Sequence, residues 1–180
     1  MSPSKLQTPD LATAYVGLGS NLGDRAGYLL LALRGMMNAG LNIKRLSSVY
    51  ETEPVDVSNQ PSFLNLVIEL GGALPTPEQL LARLLRIEYA LDRRRKVARG
   101  PRTIDLDLLL YADRQSATAF LTLPHPRLHL RRFVLTPLAE LCPRLVHPLL
   151  QHTIGELLAA TEDRAEVKLW TPKARMRDKG

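Results

Sequence analysis

A chain of 180 residues, 45% hydrophobic and 23% charged, is long enough for one globular domain with a real core. That composition excludes wholesale disorder, and the lone cysteine, Cys142, excludes an internal disulfide or a cysteine-based zinc cluster. The formal charge of +6 is concentrated: Arg93, Arg94, Arg95, Lys96, Arg99 and Arg102 fall within ten residues that contain no acid, and the rest of the chain balances. A basic surface spread over the whole body would point to nonspecific nucleic-acid or membrane binding. One cluster points instead to a local polyanion such as a phosphate chain, or to a solvated charged face. Residues 1–11 lack the apolar stretch of a signal peptide, and no apolar run approaches the ~20 residues of a membrane span. The sequence therefore reads as soluble and cytoplasmic.

Along the chain, 1–11 reads as a mobile tail, followed by an apolar strand at 13–19 that ends in glycine. Asp24 can cap a helix to about residue 39, with Leu29, Leu30, Leu33 and Met36 at helical spacing. A strand is expected at 41–50, a polar loop with two prolines at 51–62, and a second strand at 63–70. Thr76, Pro77 and Gln79 form a capping-box signature for a helix to about residue 91. The basic loop 92–101 leads into a strand at 103–111; a rigid turn at 124–126 and a short helix at 131–141 follow. The domain is expected over 12–160, with 161–180 as a charged extension. Strands and helices mix without strict βαβ alternation, which predicts an α+β class with a mainly antiparallel sheet.

The chemistry concentrates in the strand at 103–111. Alternate side chains share a face, so Asp105 and Asp107 point the same way with Cα atoms ~6.5–7 Å apart, while Ile104, Leu106 and Leu108 face the core. Adjacent carboxylates repel each other unless a cation lies between them, and hard oxygen ligands suit Mg²⁺ carried with phosphates. A solvated strand face that happens to carry two acids is the simpler alternative. The basic cluster running into Arg102 and Asp105 favours phosphoryl transfer, in which cations bridge phosphates and arginines neutralise developing charge. No GxxxxGK[ST] loop is present. The glycines of 17–23 follow GxGxxxG spacing, which suits a tight strand-to-helix turn better than a dinucleotide fingerprint. His125 is fixed between two prolines, and Phe63 and Phe133 are two of only three phenylalanines, able to be core or to stack on a planar heterocycle.

Taken together, AYVGLGSNLGDR (14–25), SSVYETEPV and QPSFLNLVIEL (47–70), GPRTIDLDLLLY (100–111) and LTLPHPRLHLRRFVLTPLAE (121–140) resemble the 6-hydroxymethyl-7,8-dihydropterin pyrophosphokinases of folate biosynthesis. The motifs run in family order over about residues 14–145. The resemblance implies a ferredoxin-like three-layer α+β sandwich that transfers diphosphate from ATP to the pterin hydroxymethyl group and releases AMP. It implies that Asp105 and Asp107 hold two Mg²⁺ ions, and that Arg93, Arg95 and Arg102 act on the phosphates. It implies that Glu88, Leu108, Thr122, His125 and Arg131 contribute to the ATP site. Thr52, Val55 and Asn65 match pterin-pocket positions, with Phe63 and Phe133 as the rings that sandwich the pterin. Ala98-Arg99, Glu53 and Phe120 depart from residues found in other members. The expected partners are these two small molecules, with neither nucleic acid nor membrane, and the expected state is a monomer.

Overall fold

A computed structural model describes residues 12–53, 60–91 and 102–172. β1 (Ala14–Ser20) leads into α1 (Arg25–Asn38), and the carboxylate of Asp24 accepts from Gly27 N at 3.0 Å to cap that helix. Gly23, at φ +67°, makes the turn between them, a backbone conformation that costs glycine little. β2 (Ile43–Leu46) and β3 (Tyr50–Thr52) both pair with β4 (Phe63–Leu70). The single strand expected over 41–50 is thus broken. At the break, Ser47 exchanges hydrogen bonds with the Val67 backbone, and Glu140 accepts from Ser48 N, Ser48 Oγ and Tyr50 OH.

α2 (Pro77–Ala90) opens on the full Thr76/Gln79 capping box, and Thr103 Oγ1 donates to the Leu91 carbonyl beyond its end. β5 (Asp105–Tyr111) follows, then a hairpin of β6 (Ser116–Ala117) and β7 (Thr122–Leu123), then α3 (Arg132–Leu141). Two further elements, α4 (Ile154–Ala160) and β8 (Val167–Leu169), were not expected. β8 joins the sheet beside β3, and Trp170 N donates to Val49 O, so part of the charged extension is built into the fold.

The main sheet runs β5-β1-β4-β3-β8, with β2 also on β4, and every pairing between its strands is antiparallel. With β2 and β3 counted as one broken strand, the βαββαβ order with β1 between β5 and β4 is the ferredoxin-like arrangement. One sheet face meets α1 and α2 through Val16, Leu18, Leu66, Leu106 and Leu108 against Met36, Leu80 and Leu84. The other meets α3 and α4 through Tyr15, Val67, Leu109 and Leu110 against Leu135, Leu138 and Leu157. Three layers result. No helix among the described residues is long and apolar enough to cross a membrane.

α4 begins on a second capping box, Thr153 with Glu156, which closes its first turn. Thr153→Ala is expected to lower unfolding free energy by about 1 kcal/mol, measured by urea titration. An unchanged midpoint would mean that tertiary packing alone holds this helix.

Candidate active site

α3 has ten residues, about 15 Å of helix, and covers only part of the second sheet face. Beyond its first turn lies a cleft open to solvent. Strand register sets its floor. Asp105 pairs with Gly19 and Gly19 with Asn65, giving one row across three strands; Asp107, Gly17 and Val67 form the next row. The middle member of each row is glycine, so no side chain stands between the acids of β5 and the carboxamide of β4. At Gly19 a Cβ would come within 2.8 Å of Asn65 Oδ1. The sequence reading gave all these glycines to the strand-to-helix turn. Only Gly23 is there, whereas Gly17 and Gly19 lie within β1 and line the cleft.

Around this floor the chain brings together Thr52, Phe63, Asn65, Arg102, Asp105, Asp107, Arg131 and Phe133. Asn65 is buried and donates through Nδ2 to Thr52 Oγ1 at 2.7 Å, which turns its Oδ1 toward the glycine floor. The Arg102 guanidinium lies 5.5 Å from the Phe63 ring centroid, and that of Arg131 lies 5.4 Å from the Phe133 centroid. Arg102 also pairs with Asp105 at 3.2 Å, while its buried Nε has no hydrogen-bond partner. A buried donor without a partner favours a bound acceptor.

Sequence reasoning missed the residues that hold these groups in place. Asn21, 1% exposed, accepts from Arg102 N through Oδ1 and donates through Nδ2 to Gln60 and to the Pro61 carbonyl. Arg25 bridges Glu51 and the Ser62 carbonyl, both at 2.8 Å. Their partners lie 26 to 81 residues away, so no local pattern could reveal them. Glu53 and Gln60 also line the cleft.

Four expected site residues stand outside it. Leu108 is buried against the first helix layer, and Glu88 is enclosed with its carboxylate against the β5 backbone. Thr122 is exposed on β7, and Phe120, the departure beside it, is likewise exposed. His125 donates its N–H to the Leu109 carbonyl, so it abuts β5. Arg93, Arg95 and Val55, with the Ala98-Arg99 departure, lie outside the described residues. The glycine segment offers no open helix terminus to a dinucleotide, because Asp24 occupies it.

Burial pushes the His125 imidazole down to about 4, with Arg127 and Arg131 adding to the effect and Asp105 opposing it. The fold thus holds this ring neutral, while the unfolded chain takes a proton near the ordinary value of 6.5. Stability is fully present above that value and is lost as pH falls from it toward about 4, by at most about 1.4 kcal/mol per pH unit. Buried His147 is shifted in the same direction and contributes a slope of the same sign. In urea unfolding between pH 7 and 5, His125→Gln is expected to flatten the dependence without abolishing it. A slope equal to that of the native chain would show that His125 is not held neutral.

The family described as 7,8-dihydro-6-hydroxymethylpterin-pyrophosphokinase matches residues 15–143. A 2-amino-4-hydroxy-6-hydroxymethyldihydropteridine pyrophosphokinase of Bacillus subtilis is 41% identical over 162 residues, covering 89% of this chain and 92% of the relative. One from Aquifex aeolicus is 39% identical over 146 residues, covering 81% of this chain and 90% of the relative. Among solved structures, a Plasmodium falciparum HPPK-DHPS matches with a TM-score of 0.66 at 16% identity, covering 86% of this chain. The chain spans 46% of that longer protein, and at this identity the likeness concerns the fold. With a family match over most of its length and relatives near 40% identical almost end to end, the chain belongs to the 7,8-dihydro-6-hydroxymethylpterin-pyrophosphokinase family.

Proposed function

We propose that this pyrophosphokinase of folate biosynthesis uses the cleft to transfer diphosphate from ATP to the hydroxymethyl oxygen of 6-hydroxymethyl-7,8-dihydropterin. The observation that carries the reading is the row Asp105–Gly19–Asn65, with an arginine-backed phenylalanine on β4 and another on α3. It supports a planar heterocycle at one end and a polyphosphate at the other. Phe63 and Phe133 sandwich the pterin, and Asn65 Oδ1 accepts from a ring-edge N–H, with Thr52 fixing the carboxamide. Val55, outside the described residues, is assigned to the pterin on the family resemblance alone.

At the phosphate end, Arg102 and Arg131 meet the β- and γ-phosphates, joined by Arg93 and Arg95 from the basic segment. The nucleoside is assigned to Thr122 and His125, in the segment beside β5, and to Leu108 of β5 itself. The donor set of Asp105 and Asp107 fits Mg²⁺: both are carboxylates on one strand face. Among the described residues no group of three or more His, Cys, Asp or Glu could cage a metal alone, so a cation held by the two aspartates would need further oxygen ligands from outside the protein. Two Mg²⁺ ions held there would neutralise phosphate charge and make the hydroxyl easier to deprotonate.

The pterin oxygen forms a bond to the β-phosphorus as the bond from that phosphorus to the bridging oxygen breaks, and AMP departs with that oxygen. Asp105 accepts the hydrogen bond of the attacking hydroxyl, and the two arginines hold the transferred group in line. The substrates on this reading are two small molecules, ATP and the pterin.

Incubation with MgATP, with and without the pterin, should yield AMP and pterin diphosphate only when the pterin is present. ADP in place of AMP would exclude attack at the β-phosphorus. Asp105→Asn and Asp107→Asn should each lower kcat by about 10²–10³-fold; near-normal turnover would remove the acids from the phosphate site. Gly19→Ala should displace the Asn65 carboxamide and raise the KM for pterin by about 10- to 100-fold, with the KM for ATP little changed. Equal loss for both substrates would deny Gly19 a part in the pterin floor.

A further inference from the structure

We infer that Glu88 is a positioning residue for the acid pair, holding from behind the sheet the peptide that joins Asp105 to Leu106. The inference rests on the reading that Asp105 and Asp107 hold cations together with ATP. On α2, Leu80, Leu84 and Glu88 follow one another at four-residue spacing on the buried face, with 0%, 0% and 2% exposure. A third leucine would continue the stripe, whereas a buried carboxylate carries a desolvation cost that only strong hydrogen bonds or pairing offset. Glu88 Oε1 accepts from Leu106 N at 2.6 Å, a short, charge-assisted bond.

The place of that bond gives it a consequence. β5 ends the strand order and pairs only with β1 within the main sheet, so an N–H turned to its outer side has no strand partner there. Glu88 supplies an acceptor for it. The Leu106 N–H belongs to a rigid plane that also contains the Asp105 Cα and carbonyl. Anchoring this plane fixes the direction in which the Asp105 side chain leaves the strand, and hence its spacing from Asp107. From the cleft side Arg102 holds the same aspartate at 3.2 Å. Asp105 is therefore clamped from both sides of the sheet, as a metal ligand needs if its geometry is to persist when substrates leave. The pterin-side residues Thr52, Phe63 and Asn65 lie on β3 and β4, beyond β1, and do not share the anchor.

The test is direct Mn²⁺ binding, read by electron paramagnetic resonance with a non-hydrolysable ATP analogue, in the native chain, Glu88→Gln and Glu88→Asp. Glu88→Gln keeps a carbonyl acceptor at the same reach and should bind Mn²⁺ within about twofold of the native chain. Glu88→Asp keeps the charge but is one methylene shorter, and should bind about 10- to 100-fold more weakly. Pterin affinity should stay within about twofold in both, since that pocket is built on other strands. In the native chain, the Leu106 amide resonance should shift when Mg²⁺ and the analogue are added, a readout that requires no variant to fold. Native-like Mn²⁺ affinity in Glu88→Asp, equal weakening in both variants, or a stationary Leu106 resonance would each overturn the positioning role. Absence of Mn²⁺ binding by the native chain would overturn it together with the metal reading beneath it.

Discussion

Side chains alternate along a strand, and in β5 this two-residue period separates the work of the protein into two layers. Leu106 and Leu108 enter the core beneath α1 and α2, while Asp105 and Asp107 face the cleft. Because β1 and β4 keep register with β5, their own alternation delivers Gly17 and Gly19, then Asn65 and Val67, to the same side. A slip of one residue would bury two carboxylates among leucines and expose the leucines. Apolar packing against the first helix pair therefore secures the register on which the site depends. The hydrophobic core and the candidate active site are opposite faces of the same three strands.

The second constraint is the length of α3. A helix long enough to cover the sheet would leave no cleft; one much shorter would leave Leu109 and Leu110 exposed. Its first turn does two jobs, with Phe133 at the cleft and Val134 and Leu135 in the second core. Arg131, just before the helix, backs the Phe133 ring, as Arg102 backs Phe63. Each arginine thus lies against an aromatic ring at the edge of the cleft. The two stacked pairs tie the positions of the arginines to those of the rings.

Much of this was legible because it is local. The strand at 63–70 has the expected bounds, the Thr76 capping box is complete, and the placement of Asp105 and Asp107 on one face needed only the strand period. What escaped depends on distant partners. α3 carries no side-chain cap of its own; Asp163 supplies one by accepting from Arg132 N, 31 residues earlier in the chain. The break between β2 and β3 is held by Glu140, about 90 residues on. α4 was an avoidable miss, since Thr153 and Glu156 have the same signature that located α2. Gly17 and Gly19 were misread because their meaning lies in what stands opposite them, and register is not written in one strand alone.

Those two glycines also show how the fold accommodates its site. Glycine within a strand costs roughly 0.5–1 kcal/mol relative to alanine, and β1 carries both in a strand flanked on each side. On its other face the same strand places Val16 and Leu18 at 0% and 2% exposure, where each buried side chain contributes about 1.5–3 kcal/mol. The apolar face thus outweighs the loss on the cleft face. Filling the cleft face with alanine would favour the empty chain and obstruct the Asn65 carboxamide, 2.8 Å from where the Gly19 methyl would stand. The local preference of a strand for bulk is overridden at Gly19, where the space a side chain would take is held by the Asn65 carboxamide.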